Sequence, residues 1–225
     1  MASTPLAKAS ASRYSSRMIW DTIANIPTAQ LLTFIGGGLL LNLAPGQDVM
    51  FASACGIKGG PRAGALAGIG VGLGVMFHVV LATIGLGALV ATNPGLLIFI
   101  KYIGAAYLLF LAWQSWNAKP HSPATAAPEK PWRIIRRGAL SNMLNPKPVL
   151  FLLAFLPQFT HVDYGPIWQQ IFGLGLIFAV PGTLVTIAYG VVAGWLGLRL
   201  GKHLGIMNRV AAVIFAGLAV RMVAK

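Results

Sequence analysis

The sequence predicts an all-α, polytopic membrane protein whose six transmembrane helices form two inverted three-helix repeats, with helices 1 and 4 discontinuous. Three observations lead to this fold class: an apolar composition, a sequence element that occurs twice, and the distribution of Lys and Arg. Of the 225 residues, 56% are hydrophobic and only 9% are charged, and the mean hydropathy is +0.74. A soluble domain carries about 25% charged residues, so this chain is expected to lie in a bilayer.

The repeated element occupies residues 38–51 (GLLLNLAPGQDVMF) and residues 138–151 (GALSNMLNPKPVLF). Gly, Leu, Asn, Val and Phe recur at equivalent positions of the two copies. A second echo follows at a similar offset, with GLGVMF at Gly72–Phe77 and GLGLIF at Gly173–Phe178. Two halves of three apolar segments each indicate an internally duplicated membrane protein.

Six segments are long and apolar enough to cross a bilayer, which requires about 20 mainly apolar residues. The predicted spans are Thr28–Cys55, Ala63–Val90, Gly95–Trp116, Gly138–Phe159, Ile167–Gly194 and Gly205–Val223. Short connections rich in Gly or Pro separate most of them, as is typical of turns.

The chain therefore divides into four parts. Residues 1–26 form a basic, polar N-terminal tail that is expected to be disordered, and residues 27–116 form the first repeat. Residues 117–131 form a Pro-rich linker, expected to be cytoplasmic and flexible, and residues 132–225 form the second repeat. An alternative translation start at Met18 would remove most of the tail.

The Lys and Arg residues predict the orientation. Ten of them lie on one side of the predicted spans, which the positive-inside rule makes cytoplasmic: Lys58, Arg62, Lys119, Lys130, Arg133, Arg136, Arg137, Arg199, Lys202 and Arg209. The opposite side holds fewer, namely Lys101, Arg221 and Lys225 with Lys8, Arg13 and Arg17 of the tail. Both termini are then expected on the outer side, and three spans per half require the halves to be inverted. The net charge of +13 thus reflects orientation and anionic lipid, and no nucleic-acid partner is expected.

Both copies of the repeated element interrupt an apolar helix with proline, at Pro45-Gly46 and at Asn145-Pro146-Lys147-Pro148. Proline lacks a backbone N–H and breaks a helix interior. The freed backbone groups must find partners in hydrocarbon. Because helix N-termini attract carboxylates and C-terminal carbonyl groups attract ammonium groups, two facing breaks would form a substrate-binding pocket suited to a zwitterion.

Asp48 and Lys147 are the charged residues of the two breaks, and an ionisable group inside a span is a functional hypothesis by default. The Asp48 carboxylate would bind a substrate ammonium or carry a coupling proton, and Lys147 would bind a substrate carboxylate. The alternatives are a structural ion pair between them or snorkelling to the cytoplasmic edge. Asn42, Asn142 and Asn145 either line the same site or form interhelical hydrogen bonds.

Other features carry a weaker signal. His78 lies mid-span and is either a proton-coupling group or a packed, hydrogen-bonded side chain. Gly64, Gly68 and Gly72 recur at four-residue spacing, which indicates close packing between spans or between protomers of a homo-oligomer. Trp113 lies near a span end, where an interface anchor is expected. No metal or other cofactor and no enzymatic activity are expected, because ligand spacings and nucleophile–base sets are absent from the sequence.

NLAPGQD at Asn42–Asp48, KYIGAAYLLFLAW at Lys101–Trp113 and NMLNPKPVLFLLAFLPQF at Asn142–Phe159 resemble the LysE/RhtB amino-acid exporters. The resemblance extends from about residue 31 to residue 223. It implies a bacterial inner-membrane protein that exports amino acids or close derivatives with the proton gradient, and the outer side expected for both termini is then the periplasm.

The resemblance also implies which residues are the motif positions, namely Pro45, Gly46, Asp48, Asn145, Pro146 and Lys147. Ala44 and Gln47 depart from the usual Thr-Pro-Gly-Pro-Asp pattern. A membrane protein with a purely structural or interaction role is one competing interpretation, but it leaves Asp48 and the breaks unexplained. A thiol–disulfide electron carrier is the other, and it would need a cysteine pair where this sequence has only Cys55.

Overall fold

The computed structural model describes residues 19–92, 96–117 and 130–196, together with scattered positions between 209 and 223. All regular elements in these ranges are helical. The α-helices are α1 Ile19–Ala24, α2 Thr28–Leu43, α3 Gln47–Thr92, α4 Leu96–Trp116, α5 Pro131–Met143, α6 Pro146–Phe155 and α7 Ile167–Leu196. Two short 3-10 helices, Leu156–Phe159 and Val162–Tyr164, connect α6 to α7. Most of the predicted linker and of the sixth span lies outside the described residues.

Two of the described helices are long and apolar enough to cross a membrane, namely Gln47–Gly85 within α3 and the whole of α7. A third candidate span is the pair Pro131–Met143 and Pro146–Phe159, which is bent by 48° at its break. The chain is thus a helical, polytopic membrane protein, as its composition predicts. The arrangement of six helices as inverted repeats stays a prediction.

Both predicted helix breaks are present. The first separates α2 from α3, where Ala44 leaves the helical region with ψ 114° and the chain resumes its helix at Gln47. The second separates α5 from α6, where Asn145 is extended and its side chain accepts a hydrogen bond from the backbone N–H of Lys147. Pro146 takes the first position of α6, where its missing N–H costs nothing.

The connection inside α3 is shorter than the sequence predicts. Gly60 has φ 78°, a conformation that favours glycine, and it divides α3 into arms at residues 47–59 and 61–92. Pro61 begins the second arm, a position that suits proline. The first span therefore extends beyond Cys55 and the second begins before Ala63, because this Gly-Pro pair is sufficient for the turn.

Residues 19–26 belong to the tail that the sequence predicts to be disordered, and for them the prediction is wrong. They include helix α1, and the side chains of Ile23 and Ile26 are buried in the core. Thr22 Oγ1 also donates a hydrogen bond to Gln169 Oε1 of α7 at 2.7 Å. Apolar burial and this buried hydrogen bond hold the segment against α7, whereas residues 1–18 lie outside the described ranges.

The core is centred on α3 and α7, which approach each other through small residues. Gly64 lies directly against the backbone of Gly190, and Gly68 and Gly72 continue the contact one and two turns farther along α3. The two glycines interleaved with them in α3 face α5 instead. The four-residue glycine spacing thus packs spans of the same chain against each other.

A methyl group at Gly64 is expected to destabilise the protein. The Gly64→Ala variant would place its Cβ against the Gly190 backbone, and such overpacking costs about 1–3 kcal/mol. Gly85→Ala is the matched control in the same helix, because no atom of the described residues lies within 4 Å of the position that its Cβ would take. Thermal unfolding in detergent should show a lower Tm for Gly64→Ala alone, and equal Tm values for the two variants would contradict this packing.

Candidate functional site

The two helix breaks lie against each other, and Lys147 connects them. Its Nζ atom donates hydrogen bonds to the carbonyl oxygens of Leu41, at 3.1 Å, and Ala44, at 3.0 Å. These carbonyls lie at the C-terminal end of α2, where a helix has no intrahelical donors left to offer. The ammonium group therefore caps the negative end of the α2 dipole and partners the backbone groups that the first break leaves exposed.

Asp48 makes the reciprocal connection from the first break to the second. It lies in the first turn of α3, where the helix dipole favours a carboxylate. Its Oδ2 atom accepts hydrogen bonds from Asn142 Nδ2 at 3.0 Å and from Asn145 Nδ2 at 2.9 Å. The other oxygen, Oδ1, is buried and has no hydrogen-bond partner among the described residues. One carboxylate oxygen is thus held in place and the other remains available.

The structural ion pair between Asp48 and Lys147 that the sequence leaves open does not form. Each charged group binds neutral groups of the opposite break: the ammonium binds backbone carbonyls, and the carboxylate binds side-chain amides. Snorkelling is not observed for Lys147 either, since its ammonium points into the protein toward these carbonyls. Both charges therefore sit at the junction of the breaks without neutralising each other directly.

The equivalent asparagines Asn42 and Asn142 each reach the long helix of the other half. Asn42 Nδ2 donates to the carbonyl oxygen of Phe178 in α7 at 3.2 Å, one turn before the point where Pro181 interrupts the helix bonding. The backbone carbonyl oxygen of Asn142 accepts from His78 Nε2 of α3 at 2.9 Å. Both asparagines thus form interhelical hydrogen bonds, and each also lies at or next to the site.

His78 is linked to Asp48 through Asn142. The Asn142 carbonyl can only accept, so Nε2 carries the hydrogen and Nδ1 of the neutral ring is an acceptor. This Nδ1 atom is buried and has no hydrogen-bond partner in the part of the chain that the structure describes. Within the same part, no three His, Cys, Asp or Glu side chains form a group that could hold a metal ion.

Two cavities meet at the junction of the breaks. The smaller has a volume of about 30 Å³ and is lined by Asn42, Asp48 and Lys147 together with apolar residues of α3 and α7. That volume suffices for about one or two water molecules. The larger is a groove of about 690 Å³ between the breaks and α4. Gly46 and Lys147 line both cavities.

The structure brings most of the predicted site residues into this junction. Asn42, Gly46, Asp48 and Lys147 line the small cavity, while Pro45, Gly46, Asn145, Pro146 and Lys147 line the groove. Asn142 contacts the Asp48 carboxylate, and His78 lies one residue farther away, behind Asn142.

The groove wall that α4 supplies is not among the predicted site residues. Its residues include Tyr107, Phe110, Leu111 and Gln114, which follow the i, i+3, i+4, i+7 spacing of one helix face. That spacing is the signal that could have revealed them. Trp113, predicted as an interface anchor, also lines the groove.

Comparison with known proteins identifies the family. Residues 39–225 match the model of the LysE type translocators. The chain belongs to this family. LysE-type translocators are transporters, so this translocator is a membrane transporter and not an enzyme. No solved structure matches it.

Several relatives of this translocator carry functional names. It is 30% identical to a homoserine/homoserine lactone efflux protein of Salmonella typhi over 184 residues, which cover 78% of this chain and 87% of the relative. It is 33% identical to a leucine efflux protein of an Enterobacter species over 134 residues, 58% of this chain and 64% of that protein. An uncharacterized membrane protein of Vibrio cholerae is 32% identical over 83% of this chain and 92% of its own length.

Proposed function

We propose that this translocator exports amino acids or closely related small solutes from the cytoplasm across the bacterial inner membrane by proton-coupled secondary transport. One observation carries the proposal: the two helix breaks place an acid and a base at one junction, and each forms its hydrogen bonds with other groups instead of a direct ion pair. The names of the leucine and homoserine efflux relatives support the same class of solute.

A zwitterion fits the unused bonding capacity of the junction. Asp48 Oδ1 is a buried acceptor without a described partner, so it can receive a substrate ammonium group. Lys147 Nζ uses two of its three N–H groups on the α2 carbonyls, and its third can donate to a substrate carboxylate. Asn145 orients the Asp48 carboxylate and caps α6, since its side chain donates to Asp48 Oδ2 and accepts from the backbone N–H of Lys147.

The contacts between the halves support two inverted repeats of three spans each. Asn42 of the first half bonds Phe178 of the second, and Asn142 of the second half bonds His78 of the first. Phe178 is the repeat equivalent of Phe77, the neighbour of His78. Each broken helix therefore contacts the equivalent turn of the long helix in the other half, as a pseudo-two-fold axis requires. With the positive-inside rule, the proposed arrangement predicts both termini on the periplasmic side.

Proton coupling follows from the same carboxylate. Asp48 would bind either a substrate ammonium group or a proton, so that a proton entering from the periplasm displaces the substrate that is leaving the cytoplasm. His78 is the second candidate for this proton. Its Nδ1 lone pair is buried, and its ring bonds Asn142, whose side chain donates to Asp48. Competition between the proton and the substrate ammonium for the same oxygen would couple proton influx to amino-acid efflux.

The direct test is efflux of labelled leucine, homoserine, phenylalanine, alanine, lysine and glutamate from proteoliposomes with an inward proton gradient. We expect at least one of the neutral amino acids to leave faster than from vesicles without protein, and an uncoupler to remove most of that difference. If none of the amino acids leaves faster, amino-acid export is wrong. If efflux is unchanged by the uncoupler, proton coupling is wrong while export stands.

A further inference from the structure

We infer that the groove between the breaks and α4 binds the substrate side chain and selects large, uncharged, apolar or aromatic amino acids over basic ones. This inference rests on the proposed function, because it assumes that the charged end of an amino acid occupies the junction. It adds a specificity site formed by residues of α4 that belong to neither helix break.

The wall of the groove is an aromatic ladder. Tyr107 and Phe110 are stacked with ring centroids 5.9 Å apart, and Phe110 and Trp113 follow at 6.1 Å. Leu111 extends this wall, and Met50 of α3 faces the groove as well. Aromatic and thioether side chains of this kind make favourable contacts with apolar and aromatic groups.

The groove has a charged end and an uncharged wall. Lys147 and Gly46 line both the groove and the small cavity that contains Asp48. A substrate whose α-carbon lies at this shared edge can place its ammonium and carboxylate groups between Asp48 and Lys147. Its side chain then extends along the aromatic ladder. The groove volume of about 690 Å³ is within the range of small-molecule sites.

The polar groups of the groove explain the exclusion of basic side chains. Its polar lining groups include the amides of Gln47, Gln114, Asn117 and Asn145, the Tyr107 hydroxyl and the Lys147 ammonium, and no carboxylate is among the described residues that line it. A lysine or arginine side chain would lose water there without an anionic partner, which is costly, and it would also be repelled by Lys147.

Changing one wall residue should weaken this selection. The Gln114→Glu variant places a carboxylate in the wall at nearly constant volume. We expect it to raise the ratio of lysine to leucine efflux about tenfold, as a newly satisfied charge contact would. Gln158→Glu is the matched control, because Gln158 is an exposed glutamine outside the groove. Because the expected result for Gln114→Glu is a gain of lysine efflux, partial misfolding of the variant could not produce it.

Removing part of the ladder supplies a second measurement. Trp113→Ala should lower phenylalanine efflux relative to alanine efflux by about tenfold, since lost apolar contact reduces discrimination. Trp195→Ala is its control: the two tryptophans are similarly exposed, at 64% and 74%, but only Trp113 lines the groove.

The experiment is efflux of leucine, phenylalanine, alanine and lysine from proteoliposomes that contain the full chain or one of these variants. In the wild type, we expect leucine and phenylalanine to leave at least about tenfold faster than lysine. Lysine efflux equal to leucine efflux overturns the inference and leaves amino-acid export intact. Unchanged ratios in both Gln114→Glu and Trp113→Ala overturn it too, because the groove wall then does not contact the substrate side chain. Absence of all four fluxes also overturns the inference, and the proposed function falls with it only if homoserine and glutamate efflux is absent as well.

Discussion

Replacing Asp48 by Asn is expected to reduce amino-acid efflux to the rate of vesicles without protein. The substitution keeps the size of the side chain and an oxygen that can accept from Asn142 and Asn145. It removes the negative charge that would bind the substrate ammonium or the proton. Truncating one partner of a buried charge contact costs about 2–5 kcal/mol, which corresponds to a loss of affinity of roughly 30- to 5,000-fold.

The control for this substitution is Asp163→Asn. Asp163 lies in a 3-10 helix at the surface, and its side chain is 80% exposed. We expect the Asp163→Asn variant to transport as the wild type does. The Asp48→Asn variant should unfold at a temperature near the wild-type value and still fail to transport. Wild-type efflux in Asp48→Asn would exclude this carboxylate from both substrate binding and coupling.

Replacing Lys147 by Met is the substitution with the second-largest expected effect, because it acts on both function and stability. Without the ammonium group, the carbonyls of Leu41 and Ala44 lose their donor at the end of α2. A hydrogen bond to a charged group contributes about 1.5–3 kcal/mol, so the free energy of unfolding should fall by about that amount. Efflux should also be lost, since the substrate carboxylate has no cationic partner.

Lys58→Met is the control for the loss of a lysine. Lys58 is exposed near the end of the first arm of α3, and its replacement should change neither the Tm in detergent nor the efflux rate. If Lys147→Met behaves like Lys58→Met in both measurements, then the contact between Lys147 and α2 is not needed for stability or transport.

The features of this translocator that the sequence predicts correctly depend on local chemistry. A proline in a helix interior kinks or breaks the helix, so the breaks after Leu43 and Met143 were predictable from Pro45 and Pro146. A carboxylate in an apolar span must find partners, which identified Asp48 as a candidate. Glycine at four-residue spacing must pack closely, and it does so between α3 and α7.

The features that it does not predict depend on contacts between distant residues. The amides that hold Asp48 are 94 and 97 residues away in the sequence. Pairing of Lys147 with Asp48 is the simplest expectation for two opposite charges. In the structure, however, the freed carbonyls of α2 are closer partners for the ammonium group. The way the two breaks pack against each other thus determines which groups each charge bonds.

The groove wall shows a different limit. Tyr107, Phe110 and Trp113 form a pattern that a lipid-facing or interface-anchoring helix would also show. In a membrane span both sides of a helix meet apolar surroundings, so hydrophobic periodicity does not separate a lipid-facing wall from a binding wall. The position of these residues beside the two breaks is the observation that favours a binding wall.

Asp48 and Lys147 are proposed to form one binding site across the two breaks. A double-mutant cycle in substrate binding tests this most directly. The ligand is the amino acid that the wild type exports best, and calorimetry measures its affinity for the wild type, Asp48→Asn, Lys147→Met and the double variant. Each single variant should lose at least about 30-fold in affinity, and the double variant should lose much less than the product of the two losses, because both groups hold the same molecule. Wild-type affinity in either single variant, or fully additive losses, would contradict a shared site.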